Sequence, residues 1–318
     1  MDYVSSRDKK LRVSAAQAIA AGIAPGGGLF CPTEFPALTA DEMQALLGKD
    51  YKGRAAHILG KFLTDFTAEE LADFAAKAYA DEKFGGADTA PVKSLSDGVH
   101  MLELWHGPTC AFKDMALQML PHLLTASLRK TGETRTCCIL VATSGDTGKA
   151  ALEGFANVPG TKIMVYYPVD GVSPMQKLQM VTQQGDNVEV VAIQGNFDDA
   201  QSAVKRIFTD DATAKRMADA GCIFSSANSI NWGRLGPQIV YYFSAYCDLV
   251  NAGALKMGDK MNVCVPTGNF GNILAAYIAK QMGLPVGKLV CASNQNNVLT
   301  DFFRQGGVYD RNRPFYTT

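Results

Sequence analysis

The sequence predicts an α/β protein: mainly parallel sheets with flanking helices in two domains, behind a helical N-terminal region. Three observations carry this. From Val99 onward short β-branched runs alternate with helical stretches at the spacing of crossover units. Before Val99 the apolar residues recur at helical intervals in pieces. The 318 residues amount to about two domains at roughly 150 residues each. That is chain enough for a core without disulfide or metal staples.

Thr39-Ala-Asp-Glu42 and Thr67-Ala-Glu-Glu70 are capping boxes, each with apolar residues placed to staple the helix start: Leu38 with Met43, and Phe66 with Leu71. Behind the second box Leu71, Phe74, Ala75 and Ala78 share one helical face. Gly26-Gly27-Gly28 breaks the chain between helices. Strands are expected at Val99–Leu104, Cys137–Ala142, Ile163–Tyr167, Val188–Ile193, Cys222–Phe224, Val263–Val265 and Leu289–Ala292. Helices are expected near Met115–Leu128, Lys149–Asn157, Met175–Gln184, Phe197–Phe208, Gln238–Val250 and Ile273–Met282. The expected division is a helical region over 1–98, a small α/β domain over 99–235, and the start of a larger α/β domain over 236–318.

Composition narrows the function. Apolar residues make up 47% and charged residues 19%, a globular balance. Thirty basic against 31 acidic residues leave a net charge of −1, so no basic surface exists to neutralise nucleic-acid phosphates. No apolar run approaches the roughly eighteen residues that span a bilayer, and Met1–Arg12 is too polar for a signal peptide. Eight scattered cysteines without a C-x-x-C pair are expected to be buried free thiols in a reducing compartment, which predicts a cytoplasmic protein. Four histidines without H-E-x-x-H give no support to a zinc site.

In open α/β sheets ligands gather at the carboxyl ends of strands, and three loops there could carry chemistry. Gly268-Asn-Phe-Gly-Asn272 follows one strand and opens a helix. Its glycines and free N–H groups suit an anion without any cationic side chain; a tight strand-to-helix turn accounts for it equally well. It is neither the dinucleotide nor the Walker fingerprint. Thr143-Ser-Gly-Asp-Thr-Gly148 sets hydroxyls, a carboxylate and two glycines at another helix start. Taken alone, Ser144 or Asp146 as a helix cap is the better reading. Ser144 is no hydrolase nucleophile, because Ala142 breaks G-x-S-x-G. The third segment is Glu103-Leu-Trp-His-Gly-Pro-Thr-Cys-Ala-Phe-Lys-Asp114. Lys113 is by default a solvated charge, yet its apolar setting at a helix start would depress its pKa and free its amine for a Schiff base. His106 reads as a packed turn residue and Asp114 as a charge at the helix start. A nucleophilic lysine, an anion loop and a phosphate cradle without cations together describe a pyridoxal phosphate site.

The chain resembles the threonine synthase family of pyridoxal-phosphate enzymes, fold type II, the tryptophan-synthase-β-like group. The likeness runs through Tyr3-Val-Ser-Ser-Arg7, Gly27–Pro32, Glu103–Asp114, Thr143–Gly148, Ser226-Ala-Asn-Ser-Ile-Asn231 and Gly268–Asn272. It implies that Lys113 bears the cofactor and that Gly268, Asn269, Phe270, Gly271 and Asn272 cradle its phosphate. It also implies that Asp146 lies near the phenolic oxygen, and that Ser144 and Thr147 meet the substrate carboxylate. Asn228 and Arg234 would border the substrate pocket. The family converts O-phospho-L-homoserine and water to L-threonine and phosphate. Members of the family run well past Thr318, and their later segment supplies the partner of the pyridine nitrogen. The resemblance therefore implies a shortened large domain. The competing expectations are a related phospho-lyase for another phosphorylated amino acid, and a chain that binds without turnover.

Overall fold

Capping residues set where the N-terminal helices begin. The structure, a computed structural model, describes residues 1–86, 88–228 and 231–310. Helices α1 (Ala15–Ala21), α2 (Ala40–Leu47) and α4 (Ala68–Ala78) each start on a complete capping box, from Ser14, Thr39 and Thr67; Asp50 caps α3 (Tyr51–Phe62). On α4 the predicted face, Leu71, Phe74, Ala75 and Ala78, is the buried one. Burial of a Leu or Phe side chain contributes about 1.5–3 kcal/mol. A short α5 (Asp81–Phe84) follows.

This region is less purely helical than its sequence suggests. β1 (Tyr3–Ser5) pairs antiparallel with both β2 (Arg12–Val13) and β3 (Phe30–Pro32). These strands are two or three residues long, too short to show a period. β4 (Val92–Ser96) and β5 (Val99–Leu102) form a separate antiparallel hairpin. The strand expected at Val99–Leu104 therefore exists but lies outside the parallel sheet. Its exposed Val99 and Met101 face solvent.

The helix expected over Met115–Leu128 is two helices, α6 (Asp114–Leu117) and α7 (Leu120–Lys130). Pro121 lies in the first turn of α7, where its missing N–H is tolerated, and its ring opposes continuation from α6. The main sheet contains β6 (Thr136–Ala142), β7 (Thr161–Pro168), β8 (Val188–Ile193) and β9 (Cys222–Ser225) in the order β8-β7-β6-β9, all parallel. Between them run α8 (Asp146–Phe155), α9 (Pro174–Val181), α10 (Phe197–Thr209) and α11 (Asp211–Asp219). α12 (Trp232–Asn251) is almost wholly buried, and it begins six residues before the expected Gln238 despite Pro237 inside it. A second, two-stranded parallel sheet pairs β10 (Met261–Pro266) with β11 (Val286–Ala292), linked by α13 (Gly271–Gln281) and followed by α14 (Val298–Arg304). One hydrophobic cluster runs from Tyr3 through α12 to Val286.

Among the described residues no helix is long and apolar enough to cross a membrane, and no His/Cys/Asp/Glu group is arranged to hold a metal. All eight cysteines are free; Cys137 and Cys247 are buried, but Cys110 and Cys264 are exposed, against the expectation of buried thiols.

Candidate active site

Lys113 reaches its position through a turn locked by Asp114. The Asp114 carboxylate is fully buried and accepts from Thr109 N at 2.8 Å and from Thr109 Oγ1 at 2.7 Å. It fills the space where Gly107 has no side chain: a Cβ there would lie 2.5 Å from Asp114 Cβ. Burial pushes the Asp114 pKa up while the Thr109 bonds oppose this. Asp114 is thus the anchor of the turn, not merely a charge complementing a helix. His106 behaves as a turn residue, bonded to Glu103 Oε2 at 2.7 Å and stacked near Trp105.

Close backbone packing joins α6 and α8 near their C-terminal ends. A Cβ on Gly154 would sit 2.3 Å from the Leu117 carbonyl oxygen, so the two helices touch at glycine contact. At their N-terminal ends, Lys113 Nζ donates to Asp146 Oδ1 at 2.7 Å. The lysine side chain is only 15% exposed, against 43% for the aspartate, so the amine is the inner member of the pair. Burial lowers the Lys113 pKa; the Asp146 carboxylate opposes that shift and the Arg234 guanidinium adds to it. Arg234 is fully enclosed, bonded through Nη1 to the Ala227 carbonyl, and its buried Nε has no partner among the described residues. Burial pulls its pKa down to about 10.

The loop after β6 is capped from within. Thr143 Oγ1 accepts from Gly145 N at 3.1 Å and Gly148 N at 3.0 Å. Neither Ser144 nor Asp146 caps α8, against the reading that the loop taken alone favoured. Ser144 is exposed, Thr147 half-buried, and neither side chain hydrogen-bonds among the described residues. Asn228 Nδ2 donates to the Ala142 carbonyl at 3.2 Å and so braces the same loop from β9. Ser229 and Ile230 of that motif lie outside the described residues.

The loop after β10 is built differently. Phe270 takes the left-handed conformation at φ 65° before α13, with no side-chain cap. Among the described residues the N–H groups of Gly271 and Asn272, the first two of an 11-residue helix, are therefore left without a capping side chain. Asn272 Oδ1 accepts only from Ile273 N. A Cβ at Gly268 would meet nothing within 4 Å, and one at Gly271 only Gln238 Nε2 at 3.8 Å. The Gly271 backbone is not left-handed, so nothing in the protein requires glycine at this helical position, where alanine is about 1 kcal/mol better. Helix α12 joins the two loops: Arg234 faces the Lys113 pair and Gln238, one turn later, faces Gly271.

Beside Lys113 opens a cavity of about 470 Å³ bordered by Trp105, Cys110, Phe112, Asp146, Gln176 and Gln179. Among these, Trp105, Gln176 and Gln179 were not singled out by the sequence, nor were Thr143 and Gln238. Only the capping box Ser173-Pro-Met-Gln176 could have pointed to one of them.

Two family models match the chain: threonine synthase N terminus over residues 2–79, and pyridoxal-phosphate dependent enzyme over residues 91–314. The crystal structure of the Escherichia coli threonine synthase superimposes with a TM-score of 0.84 at 34% identity, covering 98% of this chain and 68% of that one. The chain belongs to the threonine synthase family of pyridoxal-phosphate-dependent enzymes. The PLP-bound threonine synthase from Brucella melitensis is as similar in fold, with a TM-score of 0.84, 38% identity, 96% of this chain and 63% of that one. Threonine synthase-like 1 of Homo sapiens is 44% identical over 99% of this chain, and the threonine synthase of Methylobacillus glycogenes 38% over 96%. The chain spans 44% of the first relative and 64% of the second. Fold type II follows from the family, and so does the cofactor. The residues present fit that cofactor: a desolvated amine near Arg234 on α12, and near Gln238, one turn along the same face, a helix start whose Gly271 leaves room that protein atoms do not fill.

Proposed function

We propose that this chain carries the threonine synthase reaction, in which O-phospho-L-homoserine and water give L-threonine and phosphate. The observation that carries the reading is the Lys113–Asp146 pair, whose amine is the buried member, joined through α12 to a glycine loop without cationic side chains. Bound at this site, pyridoxal phosphate would supply an electron sink for charge developing at the substrate Cα. Lys113 would hold it covalently. Gly268, Asn269, Phe270, Gly271 and Asn272 would hold its phosphate through backbone N–H groups and the helix dipole.

The chain's own groups account for the remaining work. The Ser144 and Thr147 hydroxyls have no partners among the described residues and suit the substrate carboxylate. Burial favours a neutral Lys113 amine, able to take a proton from Cα and to move one at Cβ. Asp146 orients that amine by accepting its proton at 2.7 Å. The Phe112 ring, 4.9 Å from Nζ, and the turn behind it shield the amine from water. Arg234 and Asn228 line the border of the pocket, with Arg234 adding a fixed positive charge behind the lysine. Phosphate leaves from Cγ and water adds at Cβ, which balances the reaction.

A second reading has one observation in its favour: identity to threonine synthase-like 1 proteins, 44%, exceeds the 38% to the Methylobacillus glycogenes threonine synthase. Under it the same site eliminates phosphate from a phosphorylated amino acid without adding water. Incubation of the chain with pyridoxal phosphate and O-phospho-L-homoserine separates the two. Threonine and phosphate in equal amounts support the first reading. Phosphate with a keto acid and ammonia, the products once the eliminated enamine is hydrolysed, supports the second, and no phosphate release contradicts the first.

A further inference from the structure

Helix α12 sets the distance between the two halves of the site, and one side chain on it grips the phosphate loop. Arg234, Gln238, Tyr242 and Tyr246 fall four residues apart and form one stripe. The first three are each 4% exposed or less. Arg234 faces Lys113 and Asp146. Gln238 donates through Nε2 to the Arg234 carbonyl at 2.8 Å and packs beside Gly271. The Tyr242 hydroxyl donates to the Asn272 carbonyl at 2.8 Å. From residue 234 to 242 a helix rises about 12 Å, so the stripe reaches from the lysine end of the site to the phosphate end.

The Tyr242 bond is not needed to complete α13. Asn272 lies in the first turn of that helix, where its carbonyl faces the amide four residues on; the phenol takes the second lone pair. What the bond adds is a fixed link between α12 and the segment whose N–H groups face the cradle. We propose that Tyr242 is a positioning residue that holds the phosphate-binding loop at the correct distance from Lys113. The inference rests on the proposed function, in which Lys113 takes the aldehyde of the cofactor and Gly268–Asn272 its phosphate.

The physical reason is that pyridoxal phosphate is a ligand with two points of attachment and a rigid ring between them. Both contacts form together only if the protein presents them at the ring's own spacing, and preorganised spacing converts directly into affinity. A loop free to drift would still bind phosphate, and Lys113 would still condense with an aldehyde, but the two would no longer reinforce each other. Burial raises the Tyr242 pKa, so the phenol remains a donor at any working pH.

This predicts a loss specific to the ligand that bridges both points. The ring of Tyr242 packs 4.7 Å from that of Tyr241, and Tyr242→Phe keeps this contact while removing only the hydroxyl. The chain, stripped of cofactor, is titrated with pyridoxal phosphate and separately with pyridoxal, which lacks the phosphate, and imine formation is followed by absorbance. In Tyr242→Phe the affinity for pyridoxal phosphate should fall about five-fold, from one lost buried hydrogen bond, while that for pyridoxal stays at the parent value. Tyr246→Phe is the control. It removes a buried hydroxyl from the same stripe whose partner is Gly258 N, away from the loop, and should leave both affinities unchanged. Equal losses for both ligands in Tyr242→Phe, or the same phosphate-specific loss in Tyr246→Phe, would assign Tyr242 a purely structural role and overturn the inference. So would an unchanged preference in Tyr242→Phe, with the parent still favouring pyridoxal phosphate. If the parent itself binds the two ligands equally, the phosphate loop is wrongly assigned, and the proposed function fails at that point together with the inference.

Discussion

Thr143–Gly148 and Gly268–Asn272 look alike as sequence: each follows a parallel strand, contains two glycines and opens a helix. In the fold they are opposites. In the first, the protein uses its glycines itself. A Cβ on Gly148 would lie 2.6 Å from both Met180 Sδ and Thr143 Cγ2, and one on Gly145 2.7 Å from Gln176 Nε2. Thr143 caps the helix, and the side chains of Ser144, Asp146 and Thr147 are left to face outward. In the second loop, among the described residues, Asn272 Oδ1 takes only the Ile273 N–H, the Gly271 and Asn272 N–H groups are left bare, and the space beside Gly268 and Gly271 is open. One loop is a packed platform that presents side chains; the other is a bare backbone surface, which in the proposed function takes an anion. A glycine demanded by packing and a glycine demanded by a ligand cannot be told apart from the sequence.

Substitutions at the two loops sharpen that contrast. The largest expected effect is from Gly271→Asp, which brings bulk and a negative charge to the anion cradle. Loss of a charge-assisted contact costs about 1.5–3 kcal/mol, or roughly one to two decades in pyridoxal phosphate affinity. Fluorescence titration of the stripped chain measures it, and parent-like affinity would remove the loop from the site. Next is a crossed pair of alanines. Gly148→Ala should destabilise the fold by about 1–3 kcal/mol through overpacking. Gly271→Ala should leave folding unchanged or raise its stability by up to about 1 kcal/mol while weakening cofactor binding. Urea unfolding with and without cofactor reads both, and equal destabilisation by the two would erase the difference between the loops. The smallest effect concerns pH. Burial lowers the Lys113 pKa, and the Asp146 charge partly restores it. Asp146→Asn removes the restoring charge, so the pKa should fall further and the amine should react with pyridoxal at lower pH than in the parent. A pH profile of imine formation shifted upward would contradict the pairing.

Much of this was legible in the chain. Helix starts at Thr39 and Thr67 could be read because capping boxes and staples are local chemistry, and Val188–Ile193 has the bounds its β-branched run indicates. The two- and three-residue strands β1–β3 could not be read, because so short a segment has no alternation and is held by its partners. α11 has no buried residue and so no apolar face to betray it. The helix expected from Gln238 starts just after Pro237, whereas α12 runs through it. Proline marks a helix break in a sequence, but tertiary burial of nearly every neighbouring residue outweighs one lost backbone bond. That misplacement had a consequence for the site, since it left Arg234 in a connecting segment when it is in the first turn of the helix that joins the two loops. Lys113, Asp146 and Gly268–Asn272 stood out by motif. Gln238 and Tyr242 did not, because their roles come from long-range contacts that no spacing rule records; Thr143 stood in a motif, but its part as the cap did not show.

The most direct test of the account is to locate the amine. Borohydride reduction of the chain with bound pyridoxal phosphate, followed by peptide mapping, should place the pyridoxyl group on Lys113, the lysine whose side chain is buried against Asp146. A label on Lys149 or Lys177 instead would contradict the assignment of Lys113 and, with it, the site built around that residue.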